Sequence, residues 1–197
     1  VSGRELRAVK HYLVIDLEAT TDDGDDEQHV VPRDEMETIE IGAVLVRAST
    51  LEVEAEFHSF VRPVRHPTLT AFCTQLTGIS QDMLADAPVF PEAMEALRQA
   101  MLVGRWGVVW GSWGLFDDTQ LRRDCAHHGI DYPMPEHMNL KNVFSAAQGR
   151  RKRHGMSKAL RLCGLTLEGD HHRALADAKN IARMLPWIVG GQRLPTP

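Results

Sequence analysis

Two acids stand at the end of an apolar run: in YLVIDLEATTDDG, residues 12–24, Asp16 and Glu18 flank Leu17. Side chains alternate along a strand, so Leu13, Ile15 and Leu17 would point one way and Val14, Asp16 and Glu18 the other. Two carboxylates sharing a partly dry place repel, and they either keep a proton or bind a cation. A strand end fraying into water is the plain alternative.

A third acid, Asp177, lies in HRALADAKNIARML, where Ala174, Ala178, Ile181, Ala182 and Leu185 keep helical spacing and mark a buried stripe. Asp177 falls on the margin of that stripe, which calls for an arginine partner or for a cation shared with Asp16 and Glu18. His172 precedes it by five residues, a turn of about 140° on a continuous helix. It can reach the same site only from just before the helix, and Gly169 and Asp170 permit a loop there. His171 reads as a surface residue. The fourth acid is chosen between neighbours: in a helix through LFDDTQLRRDC, Asp117 shares a face with Leu121 and Cys125, whereas Asp118 shares one with Arg122 and reads as half of an exposed ion pair.

The elements that must position these residues are strand-like at first. HYLVIDLEA (11–19), TIEIGAVLVRA (38–48) and VEAEFHSFVRP (53–63) predict an antiparallel meander, and GVVWGSW (107–113) a fourth strand. Helical candidates follow in TAFCTQLTGISQDML, PEAMEALRQAMLV, FDDTQLRRDCAHHG, NLKNVFSAAQG, SKALRLCGL and HRALADAKNIARML. Strands first with helices interleaved later indicate an α/β layer fold with a mixed sheet. One domain over 11–187 is expected, with residues 1–10 and 188–197 as tails. The acidic stretch DDGDDE (22–27) reads as a loop. Of Trp106, Trp110 and Trp113, most are expected in the core.

The chain has 197 residues, a formal charge of −5 and 25% charged residues, so any polyanionic partner must be met through local basic patches or metal ions. GRRKRHG (149–155) is the densest basic run, and a solvated loop and a phosphate contact are both open for it. Three separated cysteines, Cys73, Cys125 and Cys163, form no metal or disulfide pattern and favour a reducing, cytoplasmic setting. No apolar run approaches the ~18–20 residues of a membrane span, and no membrane association is expected.

Taken together, Asp16, Glu18, Asp117, His172 and Asp177 resemble the four acids and histidine of the DEDDh exonucleases. YLVIDLEAT, EIGAV, FCTQLTGIS, WGLFDDTQLRRDC, SKALRLCGL and HRALADAKNIARML occur in that family's order. LTGI, the tryptophan before Asp117 and GMSKALRLCGL look most like the Eri-type subgroup, which trims 3′ ends of RNA. The resemblance implies an RNase H-like fold, a mixed β-sheet flanked by helices. It further implies two divalent cations, Mg²⁺ or Mn²⁺. Asp16, Glu18 and Asp177 would hold one; Asp16 would bridge to the second, which Asp117 supports through water.

Neutral His172 would accept a proton from the attacking water, releasing nucleoside 5′-monophosphates from single-stranded 3′ ends, RNA favoured over DNA. Ala19 and Thr20 would contact the terminal sugar, and Leu76 and Thr77 would line its pocket, although Leu76 fits core packing as well. Two other readings stay open: a DNA-directed 3′ exonuclease of the proofreading or repair type, and a non-catalytic RNase H-like nucleic-acid-binding module. Oligomeric state is undetermined at this level.

Overall fold

The computed structural model describes residues 9–24 and 31–195. Five strands form one mixed sheet in the order β3-β2-β1-β4-β5: β1 His11–Ala19, β2 Thr38–Arg47, β3 Val53–Phe60, β4 Val108–Ser112 and β5 His137–Asn139. The first three are the expected antiparallel meander, and β4 and β5 add in parallel. The helices are α1 Ala71–Thr77, α2 Gln81–Leu84, α3 Phe90–Ala100, α4 Phe116–His127, α5 Leu140–Ala147, α6 Met156–Leu162, α7 Ala174–Arg183 and α8 Leu185–Ile188. This is the RNase H-like arrangement expected from the resemblance.

Alternation along β1 divides the core in two. Leu13, Ile15 and Leu17 pack with Phe90, Leu97, Leu121 and Cys125 from α3 and α4. Val14, beside Val44 of β2, faces the opposite layer, where Leu140, Phe144, Leu160, Ala178 and Ile181 form the inner faces of α5, α6 and α7. Asp16 and Glu18 continue the Val14 face and therefore look toward α7.

β2 carries α7 at close range. A β-carbon on Gly42 would collide with the backbone of Ala174 and Leu175, so only glycine lets the helix start lie on the strand. In the β1–β2 register Asp16 pairs with Gly42 and Glu18 with Glu40, so the residues that seat α7 lie directly beside the two acids.

Two elements are additions to the sequence reading: the three-residue β5 and the short α8. Beyond Ile188 the described chain passes the C-terminal end of α5, where Leu194 N–H donates to Gln148 Oε1 at 3.0 Å and the Gln148 amide donates to the carbonyls of Trp187 and Gln192. Of the acidic stretch 22–27, residues 25–27 lie outside the described residues, as do residues 1–8 and 196–197 of the expected tails. Asp22, within the described part, accepts from the amides of Gly24 and Val31. Trp110 is fully buried and Trp113 partly buried, while Trp106 is 55% exposed beneath the Lys10 ammonium.

Candidate active site

The five residues come from three places in the chain. Asp16 and Glu18 stand at the end of β1. Asp117 stands in the first turn of α4, Asp177 in the first turn of α7, and His172 in the turn just before α7. Glu18, Asp117 and Asp177 are buried, and Asp16 is half-buried.

Asp117 is brought in by the end of a strand pairing. β4 pairs with β1 only as far as Val14, and past that point the Asp117 carboxylate accepts the Leu17 amide at 3.0 Å, taking a position where the ladder has stopped. Its neighbour Asp118 binds Arg122 at 3.0 Å and Tyr132 Oη at 2.7 Å on the outer side, as its face on the helix required.

Carboxylate oxygens of Asp16, Glu18 and Asp177 all lie within 4.8 Å of one another. Burial, and then the charges of Asp177, Glu40 and Asp117, push the Glu18 carboxyl up to about 8. Burial followed by the charges of Asp117, Glu18 and Asp177 raises Asp16 well above the carboxylate range. Burial lifts Asp117 to about 6, opposed by hydrogen bonds from Ser112 and Leu17 and by the Lys141 charge. Lys141 near Asp117 and Arg173 near Glu18 offset this crowding of acids only in part.

One oxygen shows what the cluster lacks. Asp177 Oδ2 accepts the His172 amide at 3.1 Å and faces His171 Nδ1 at 2.8 Å, but Oδ1 is buried and has no hydrogen-bond partner among the described residues. A buried carboxylate oxygen left this way is costly unless a ligand completes it. An all-oxygen donor set of this kind suits a hard divalent cation.

His172 lies just ahead of α7, as the five-residue spacing demanded, with φ of +63°. Its ring stacks on His171 with centroids 4.1 Å apart. His171, read from sequence as a surface residue, is substantially exposed yet reaches Asp177.

Among the remaining expected residues, Ala19 and Thr20 are buried beside the acids, and the Thr20 hydroxyl accepts the Glu37 amide. Leu76 is exposed, whereas Thr77 is buried and its hydroxyl donates to the Cys73 carbonyl, closing α1. Leu115 and Phe116, 62% and 45% exposed, stand immediately before Asp117 and went unread in the sequence.

Comparison with known proteins agrees with this geometry. Residues 13–185 match the family model described as Exonuclease. Human ERI1 exoribonuclease 3 is 32% identical over 190 residues, an alignment covering 91% of this chain and 53% of that protein.

The chain belongs to the exonuclease family.

Two solved structures extend the likeness of this exonuclease-family chain. One is the nuclease domain of 3′hExo, a DEDDh family member, bound to rAMP, with a TM-score of 0.78 and 26% identity over 95% of this chain and 97% of that one. The other is a 3′-exonuclease in 3′-end specific recognition of a histone mRNA stem-loop, with a TM-score of 0.79 and 28% identity over 89% and 62% of the two chains. Within the family this chain is of the Eri-type DEDDh kind. It spans about half the length of the curated relatives it matches.

Proposed function

We propose that the chain hydrolyses single-stranded nucleic acid from the 3′ end, RNA in preference to DNA, releasing nucleoside 5′-monophosphates. The observation that carries this is the convergence of Asp16, Glu18 and Asp177, with the Asp117 charge bearing on Asp16 and with Asp177 Oδ1 buried and unpartnered among the described residues. The Eri-type likeness supports RNA, since human ERI1 exoribonuclease 3 is named for that activity. A reducing, cytoplasmic setting is part of the proposal, in keeping with three buried, unpaired cysteines.

Asp16, Glu18 and Asp177 would hold one Mg²⁺ or Mn²⁺, and Asp16 with Asp117 a second. Divalent ions there would supply positive charge to the attacking and departing oxygens of an in-line displacement at phosphorus. His172 accepts the proton of the attacking water; burial first, and then the neighbouring His171, holds its imidazole below the ordinary value, so it is neutral and able to accept at pH 7. Ala19, Thr20, Leu76 and Thr77 border the space for the terminal nucleotide. The exposed Phe116 ring offers a face for a base.

The test is incubation with 5′-labelled single-stranded RNA, single-stranded DNA and 3′-blocked RNA, with and without EDTA. A ladder shortening from the free 3′ end, lost in EDTA and faster on RNA, is the expected result. Internal cuts or EDTA-resistant products would overturn the proposal. In the same assay the wild-type rate should rise from pH 5.5 to pH 8 as the imidazole loses its proton, and His172→Ala should lose about a hundredfold or more at pH 8. Near-normal turnover of that variant would remove His172 from the mechanism.

A further inference from the structure

Several cations on this acidic protein are held in ion pairs. Arg47 pairs with Glu54, Arg98 with Glu95, Arg122 with Asp118, Arg173 with Glu40, Lys179 with Glu56 and Arg183 with Glu168. The run Arg150, Arg151, Lys152 and Arg153 differs. All four are exposed, and among the described residues none of their side chains has a hydrogen-bond or ion-pair partner. Four adjacent like charges repel, so their clustering adds nothing to stability, and it is the adjacency of the four that sets this run apart.

The path of the segment gives the run a direction. It starts at the far end of α5, where the Gly149 and Arg150 amides close on the carbonyls of Ala146 and Ser145. It ends at His154, whose carbonyl accepts the Trp113 indole N–H at 3.1 Å. Trp113 directly follows β4, whose last residue, Ser112, hydrogen-bonds Asp117. The segment therefore runs from the C-terminal end of α5 to the tryptophan that follows β4, four residues before Asp117.

Two more lysines continue the line. Lys141, at the start of α5, bears on Asp117. Lys158 in α6 acts with Arg150 and Lys152 on His154, whose imidazole is held below its ordinary value by burial first and by those charges second.

We infer that residues 150–153, continued by Lys141 and Lys158, form a phosphate-binding track for the strand on the 5′ side of the cut. The inference rests on the exonuclease reading for what occupies the acidic site. The track grips the phosphate backbone, so its contribution is to affinity for longer strands rather than to sequence preference.

The test compares wild type with the fourfold variant Arg150→Gln, Arg151→Gln, Lys152→Gln and Arg153→Gln. Hydrolysis of a 12-nucleotide oligouridylate and of the dinucleotide UpU is measured between about 50 and about 200 mM salt. The wild type should favour the 12-mer, and in the variant that advantage in kcat/KM should shrink by about tenfold or more. The slope of log(kcat/KM) against log salt for the 12-mer should flatten by about 3, from ~0.7 for each of the four phosphate contacts on a single strand.

Anisotropy of a fluorescein-labelled 12-mer in EDTA reads the same salt slope without hydrolysis. An inactive wild type would thus sink the functional reading and still leave the track testable. Equal slopes and equal length preference in the two proteins would overturn the track and point to an acidic protein surface as the partner of this loop.

Discussion

Asp16→Asn is expected to melt higher than wild type in EDTA at pH 8 and to lose about a thousandfold or more of hydrolytic activity. Both effects have one origin. Asp16 and Glu18 are held above their ordinary values by burial and by the neighbouring carboxylates, Glu18 at about 8. The folded protein therefore binds protons that the unfolded chain releases near pH 4. Stability of the metal-free protein then falls as pH rises from about 4 toward 8, because the unfolded state is the one that sheds protons in that window. At about 1.4 kcal/mol per pH unit of displacement, the Glu18 group alone accounts for a few kcal/mol, or a melting shift of roughly 5–10 °C.

Divalent cations replace those protons. Mg²⁺ or Mn²⁺ should raise the wild-type melting temperature more at pH 8 than at pH 6, and much less in the Asp16→Asn protein. A wild type whose melting temperature rises with pH in EDTA would contradict this account of the cluster.

The second large effect is expected at a residue that touches no substrate. The Glu40 carboxylate is almost fully buried in β2, and it accepts the Arg173 guanidinium at 2.8 Å and the Ala174 amide at 2.9 Å, with His58 Nε2 at 2.7 Å. These bonds hold the two residues that follow His172, whose backbone stands in the left-handed region that a non-glycine residue adopts only under constraint. Unlike its neighbours, Glu40 is pulled below the ordinary value by Arg173, Ala174 and His58 despite its burial, so it stays charged.

Glu40→Gln keeps the shape and removes the charge. The expected result is a fall in kcat of about tenfold to a hundredfold with KM little changed, because the histidine is misplaced while the strand still binds. A stability loss of about 2 kcal/mol should accompany it, since Arg173 is left without its counter-charge. Glu56→Gln, which breaks only the exposed pair with Lys179, should change neither quantity measurably. A stability loss with kcat intact would make Glu40 a fold residue only.

How much of this could be read from the residues alone follows from the range of the signals. Strand β1 was readable to the residue, because Leu13, Ile15 and Leu17 alternate with Val14, Asp16 and Glu18 over a stretch buried on both sides. The place of His172 followed from a mismatch between five residues and a 3.6-residue turn. Asp117 followed from the company it keeps on α4.

Signals too short or too distant were lost. Strand β5 has three residues, fewer than any periodicity needs, and exists because the backbone of residues 137–139 completes the edge of β4. Glu40 stands in a strand of apolar residues, which marks it as needing a partner, but that partner lies 133 residues away and only the fold names it. The exposure of Leu115 and Phe116 likewise had no local signature, since apolar residues at the start of a helix more often turn inward.

The most direct test of the central claim is calorimetric titration of Mn²⁺ into the wild-type protein at pH 7 in buffers of different ionisation enthalpy. If buried acids are gathered to hold hard cations, binding should release about one proton or more per protein, and Asp16→Asn should bind more weakly and release fewer. Absence of binding, or binding with no proton released in any buffer, would contradict it.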